Sequence, residues 1–596
     1  MRKLFLLLIA AISLALVPLI SGTEKIAPKR ATSPAKPTET PVVRRWLAGL
    51  TLSQKVAQLV VIPFYGEAPN TRSRQYQRFL RLVRDERVGG LILINRTTSR
   101  GIQRAEPYAL AAFVNRMQRL AKIPLIVAGD FERGASMRVG DTTLFPHAMA
   151  FAAAGDPQAT RYCGEITARD SRALGVQWVF FPVADVNSNP DNPIINIRSY
   201  GESPGDVSAH VRAFIEGARS DPKTRVLTTA KHFPGHGDTS VDSHLAMPSI
   251  QSDRAHLESI ELAPFRAAIE ARVDSVMTAH IAVPALDSAD LPATLSPAIM
   301  TGLLRDELKF QGLIVTDALE MGGVAKGFSN GEAAVRALEA GADVLLMPTD
   351  PEAAIRAVVA AVRKGRLTTK RIDQSVARVL AAKQSVGLDR ARLVDLEAIA
   401  DVINSPEAAA RAQEITDRAV TLVKNENAAA PLHNPKEAAY VILIEGRYST
   451  EGQALAQELT RRGVATMLTL DPTMPDSELD AAGQKAAASA EIVVLAFASA
   501  SAYRGSLALP GAFPKLVDTL IARGRPVTLV SLGSPYLVRS FPKVSAYFTT
   551  YSPVVTAEVA AVKALFGEID IGGRLPVTIP GIADFGFGIS MPRSAR

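Results

Sequence analysis

The sequence predicts an α/β chain: a (β/α)8 TIM-like barrel followed by a smaller open α/β domain. Three observations carry that prediction. Eight short apolar segments recur between residues 59 and 347, mostly separated by helical patterns. Charged residues or histidines follow five of these segments at their C-terminal ends, the end where a barrel collects its chemistry. A second series of strand-like runs, again spaced by helical patterns, begins near residue 419. A doubly wound sheet competes for the first region, but eight evenly repeated units suit a barrel better.

The eight segments are Leu59 to Ile62, Gly90 to Ile94, Leu125 to Ala128, Trp178 to Pro182, Val226 to Ala230, Ser275 to Ala279, Leu313 to Thr316 and Val344 to Met347. Upstream, Thr51-Leu-Ser-Gln54 has the pattern of a helix capping box. Downstream, Leu367 to Val386 carries apolar residues mostly at helical spacing, and Gly387 is placed to stop that helix. The first domain is therefore expected over residues 46–390, a linker over 391–415 and the second domain over 416–596. Within the second domain, Ala419-Val-Thr-Leu-Val-Lys-Asn-Glu426 opens the region, and strand-like runs recur at Tyr440 to Ile444, Ile492 to Ala496, Val527 to Ser531 and Ala546 to Thr549. Gly572-Gly-Arg-Leu-Pro-Val-Thr-Ile-Pro580 closes it.

The chain starts with Arg2 and Lys3, an apolar run from Leu4 to Ile20, and the small residues Ser21 and Gly22. This reads as a secretory signal peptide over residues 1–22, hence an exported, periplasmic or extracellular protein. An uncleaved anchor is the alternative, because the run is near the lower spanning limit of about 17 residues; Pro18 and the small residues favour cleavage. Residues 23–45, rich in Pro, Lys and Thr, read as a disordered basic tether. Leader and tether together account for six of the eight net positive charges, leaving +2 on the folded part, which is no nucleic-acid footprint. Cys163 is the only cysteine, so no intramolecular disulfide forms, and a buried apolar role is expected for it.

One stretch concentrates chemistry. Lys231 to His244, KHFPGHGDTSVDSH, holds three of the chain's eight histidines with two aspartates and a lysine. Pro234, Gly235 and Gly237 favour an irregular loop following the buried run that ends at Ala230. From the residues themselves three readings stay open: hydrogen-bonded structural histidines, a metal site, or acid/base chemistry with Asp242 orienting His244. The spacing matches neither HExxH nor CxxC, which weakens the metal reading.

The stretch resembles the motif of bacterial β-N-acetylhexosaminidases of glycoside hydrolase family 3, KH(F/I)PGHG, four further residues, then D(S/T)H. The resemblance implies that His244 is the general acid/base, Asp242 its dyad partner, and Lys231 and His232 sugar ligands. Gly312-Leu-Ile-Val-Thr-Asp-Ala-Leu-Glu-Met321 resembles the family's G(V/I)(V/I)xSDDLxM, with Thr316 for Ser and Ala318 for the second Asp. It implies Asp317 as nucleophile, a residue already placed by its strand-end position as a candidate beside the reacting carbon. Asp130-Phe-Glu-Arg-Gly-Ala-Ser-Met-Arg138 resembles DQEGGRVQR and implies Asp130 and Arg138 as sugar ligands, although five of the intervening positions differ. Asn196-Ile-Arg-Ser-Tyr200 resembles NxRS(F/Y) and implies sugar binding by Arg198, for which a loop-holding salt bridge is the alternative. AVTLVKNE, GSPY and GRLPVTIP resemble the family's C-terminal α/β sandwich. His280 ends a strand too, with packing beneath the site and substrate contact both open.

By resemblance the reaction is a retaining, two-step hydrolysis through a glycosyl-Asp317 ester, with no metal and no cofactor. The implied substrates are terminal β-linked N-acetylglucosamine residues of muropeptides or chitooligosaccharides. A glycoside phosphorylase or β-glucosidase of the same family, a metallohydrolase and a non-catalytic wall-binding protein are the alternatives.

Overall fold

The protein is described from a computed structural model covering residues 40–67, 70–98, 101–447, 449–499 and 505–594. The expected leader, and the expected tether up to residue 39, lie outside the described residues. Residues 40–45 depart from the tether expectation. Thr40 caps and Pro41 opens the helix Pro41–Ala48, whose Val43 is buried, so the ordered fold starts earlier than composition suggests. The capping box at Thr51 and Gln54 forms with both hydrogen bonds, at 3.3 and 3.2 Å.

All eight apolar segments become parallel strands: β1 Val60–Phe64, β2 Gly90–Leu93, β3 Ile126–Gly129, β4 Trp178–Val179, β5 Leu227–Phe233, β6 Ser275–Thr278, β7 Leu313–Thr316 and β8 Leu345–Leu346. They pair in the order β8-β1-β2-β3-β4-β5-β6-β7. A parallel bridge from Val315 to Val344 closes the ring between β7 and β8. Each strand except β1 is buried throughout, as a barrel wall between an inner and a helical outer layer requires. One boundary differs from expectation with consequence. β5 continues through Lys231 and His232 to Phe233, so these two residues project from a strand rather than from the following loop. The ladder to β6 shifts register between Ala230 and Phe233, and the Lys231–His232 peptide bond is cis.

Residues 391–415 are not a plain linker. Ser405 caps and Pro406 opens the helix Pro406–Ala419, which buries Ala408, Ala412, Ile415 and Ala419 at helical spacing and crosses the boundary expected at residue 416. The second domain is a six-stranded sheet: β9 Thr421–Asn425, β10 Ala439–Leu443, β11 Thr466–Leu470, β12 Ile492–Ala498, β13 Val527–Gly533 and β14 Ala546–Thr549. Its order is β9-β14-β13-β12-β10-β11, with only β9 antiparallel. β11 is an edge strand with only Leu470 buried, so its apolar residues give little contrast and the sequence reading passed over it. Along β10, Val441 and Leu443 face one apolar core while Tyr440 and Ile442 face the other, so helices cover both sides. The described residues form one compact unit. No described helix is long and apolar enough to cross a membrane.

Candidate active site

The C-terminal ends of β3 to β7 deliver every candidate residue to one end of the barrel. Asp317 directly follows the buried β7. Its N–H donates to the Thr278 carbonyl at 3.2 Å, and its Oδ1 accepts the Ala318 N–H at 2.7 Å. Burial pushes the carboxyl upward, but attraction to His232, His280 and His244 together with the Ala318 hydrogen bond outweighs it and holds Asp317 below the ordinary aspartate value. That field comes from side chains at the ends of two strands, β5 and β6, and it acts on a residue at the end of a third, so the four residues share one site.

His244 sits in the loop after β5. Its Nδ1 lies 2.8 Å from Asp242 Oδ1, and Asp242 is buried while the imidazole retains 22% of its surface. A carboxylate only accepts, so Nδ1 carries the proton of this bond. The loop is packed close. A Cβ on Gly237 would stand 1.6 Å from the Val186 carbonyl, and the Gly322 and Gly323 N–H groups donate to the carbonyls of His244 and Ser243. The histidine loop therefore rests directly on the segment that follows Asp317.

The sugar-ligand candidates form one charged network. Lys231 Nζ donates to Asp130 Oδ1 at 2.9 Å and pairs with Glu132 Oε1 at 2.7 Å. Arg198 engages Glu132 through both Nε and Nη2, at 2.9 and 2.8 Å. Arg138 Nη2 reaches Asp130 Oδ2 at 3.2 Å. Burial alone would neutralise these groups; instead the Lys231 and Arg198 charges hold Glu132 well below the usual carboxylate range, and Lys231 and Arg138 lower Asp130. Burial likewise pushes Lys231 down, and Asp130 and Glu132 more than reverse it. A pre-ionised lattice of cations and carboxylates is the arrangement that suits sugar hydroxyls.

Two residues in this machinery were not singled out from sequence. Glu132 is the acidic centre of the network, and it stood inside the quoted DFERGASMR segment between the two positions that were. Asp185, after β4, is fully buried; its Oδ2 meets His232 Nδ1 at 2.7 Å, and its Oδ1 accepts the N–H groups of His232 and His236 at 3.0 and 2.8 Å. Its signal was a strand-end aspartate, which alone is common. His236 is structural: both ring nitrogens are engaged, by Thr239 and Ser243. His280 lies beneath the site, its Nε2 donating to the Ala318 carbonyl at 2.9 Å and its Nδ1 2.8 Å from the Thr294 hydroxyl. The salt bridge weighed for Arg198 exists, to Glu132. Among the described residues no three His, Cys, Asp or Glu side chains converge in a metal-ligating group.

Residues 51–382 match the glycosyl hydrolase family 3 N terminal domain, and residues 420–587 match the family's C-terminal domain. The chain belongs to glycosyl hydrolase family 3. It is accordingly a glycoside hydrolase, and the barrel with its separate sheet domain is the two-domain form of that family. Among family 3 relatives, the β-N-acetylglucosaminidase/β-glucosidase of Cellulomonas fimi is 29% identical over 557 residues, covering 90% of this chain and 95% of that protein. β-Hexosaminidase A of Pseudoalteromonas piscicida is 30% identical over 557 residues, covering 83% and 89%. A solved family 3 β-N-acetylglucosaminidase from Paenibacillus sp. str. FPU-7 superposes with a TM-score of 0.79 at 32% identity, over 89% of this chain and 99% of that one.

Proposed function

We propose that this family 3 enzyme is a retaining exo-β-N-acetylglucosaminidase, with Asp317 as nucleophile, His244 as acid/base and Asp242 as the partner that fixes the imidazole. The observation that carries the reading is the convergence of the His244–Asp242 pair and the ionised Asp317 at one end of the barrel. Asp317 attacks the anomeric carbon and the C–O bond to the aglycone breaks, while His244, which enters this step as the imidazolium with Nδ1–H held by Asp242, gives its Nε2 proton to the departing oxygen and is left neutral. Water then attacks the glycosyl ester, returns a proton to His244 and releases the sugar with retained configuration. Neither the imidazolium that begins the first step nor the neutral imidazole that ends it repels Asp317 as a second carboxylate would. Asp130, Arg138, Arg198, Lys231 and His232 bind the sugar hydroxyls and the acetamido group. The likeness to two enzymes named for N-acetylglucosamine or hexosamine supports the sugar assignment. The basic, apolar leader supports export, and with it peptidoglycan fragments as substrate.

The deciding assay compares 4-nitrophenyl N-acetyl-β-D-glucosaminide with 4-nitrophenyl β-D-glucoside, each with and without inorganic phosphate. Preferential release from the first, with free sugar as product, is expected. Preference for the glucoside overturns the sugar assignment, and a sugar 1-phosphate product overturns hydrolysis in favour of phosphorolysis.

A further inference from the structure

We infer that the second domain is part of the substrate-binding apparatus: its GSPY and GRLPVTIP segments hold the loop that carries Arg198, and Glu202 is a positioning residue for that arginine. This rests on the proposed role of Arg198 in sugar binding. The loop runs from Asp185 to Glu202. Its inner side belongs to the barrel. Ser199 Oγ donates to the Asp185 carbonyl at 2.7 Å, Asn192 Nδ2 donates to the carbonyls of His236 and Gly237, both at 2.9 Å, and Arg198 grips Glu132.

Its outer side belongs to the second domain. The Glu202 N–H donates to the Pro576 carbonyl at 3.0 Å, and the Glu202 carboxylate accepts both the Thr578 N–H at 2.7 Å and the Thr578 hydroxyl at 2.6 Å. Gly201 has φ +139°, and a Cβ there would stand 2.3 Å from the Pro576 carbonyl oxygen, so two backbones meet where no side chain fits. At the loop's other end, Asn187 Nδ2 donates to the Tyr536 hydroxyl at 3.0 Å. The Asn187 N–H donates to the Gly201 carbonyl at 2.8 Å and ties the two ends together. The second domain thus fixes both feet of the loop, four residues from Arg198 on one side. The domains are also joined through Arg418 with Asp156 and through the Arg574 N–H with the Ala153 carbonyl, so these loop contacts are not needed merely to keep the domains together.

A double-mutant cycle in the full chain tests this. Glu202→Ala raises KM about tenfold, the scale of a lost charge-assisted hydrogen bond, while kcat changes little. Glu202→Gln, which keeps an acceptor for Thr578, recovers most of the loss. Tyr536→Phe shifts KM in the same direction and serves should Glu202→Ala fold poorly. In an Arg198→Ala background the Glu202 effect on KM vanishes. Additive effects on KM, or losses seen only in thermal stability, overturn the inference and leave a structural joint. The cycle uses whichever aryl β-glycoside the wild-type enzyme cleaves, so a wrong sugar assignment does not decide it.

Discussion

A single oxygen, Asp242 Oδ1, receives both the Nδ1–H of His244 at 2.8 Å and its backbone N–H at 2.9 Å. Ring and main chain are thereby fixed together, and the tautomer is set so that Nε2 is the nitrogen that exchanges a proton with substrate.

His244→Ala should then lower turnover by about 10²- to 10⁴-fold for aglycones that need protonation to leave. With a 2,4-dinitrophenyl glycoside the first step should be nearly unaffected, because that phenolate departs unaided. Equal losses on both substrates would remove His244 from the role of acid.

Asp317 should become esterified. Reacting His244→Ala with the dinitrophenyl glycoside and quenching with acid should leave one sugar residue on the peptide spanning Gly312 to Met321, because deprotonation of the incoming water is slowed. A label on any other carboxylate, or none despite a burst of phenolate, would reassign the nucleophile.

Lys231→Met removes the cation shared by Asp130 and Glu132, whose oxygens lie 2.9 and 2.7 Å from Nζ. Breaking a buried network by deleting one partner costs about 3–5 kcal/mol. Chemical denaturation should show a loss on that scale, together with a raised KM. Lys231→Met with unchanged stability would mean that water screens the two carboxylates far better than their burial implies.

The barrel was legible because each of its strands is an apolar run, and β-leaning runs interleaved with helical patterns declare a parallel sheet. The sugar-binding network was legible only in part. Asp130, Arg138, Arg198 and Lys231 stand in local motifs, whereas what joins them is Glu132, which touches Lys231 and Arg198 from a separate strand end. Such pairing between different strand ends leaves no periodic trace in the chain. The same holds for Asp185 under His232, and for Glu202 against Thr578, 376 residues apart. The edge strand Thr466–Leu470 was missed because a strand with one half-exposed side carries little hydrophobic contrast.

The buried histidines should contribute a loss of stability on mild acidification. Burial lowers His210 to about 4, and it lowers His236 to about 4 despite the attraction of Asp185. In the unfolded chain both titrate near 6.5, so between about pH 4 and 6.5 the unfolded state binds more protons and stability rises with pH. Each histidine contributes a slope of up to about 1.4 kcal/mol per pH unit in that window. The ionised Asp130, Asp185 and Asp317 are held below their ordinary values, so their contribution is present above the unfolded aspartate pKa and is lost only at lower pH, as it falls through their folded values. In the higher window Glu558, raised to about 7 by burial, and Glu261, raised well above the usual carboxylate range, act with the opposite sign because the folded state binds the extra proton, so the histidine contribution is read from the difference between variant and wild type. His210 serves as the probe because it stands outside the His-rich loop, with Nδ1 2.7 Å from the Thr160 hydroxyl and its ring stacked 4.8 Å from Tyr200 of the loop that carries Arg198. His210→Gln should lose part of the acid sensitivity of the unfolding midpoint between pH 5 and 6.5 while the remaining slope persists. An unchanged slope in that variant would show that His210 keeps its proton when the protein folds.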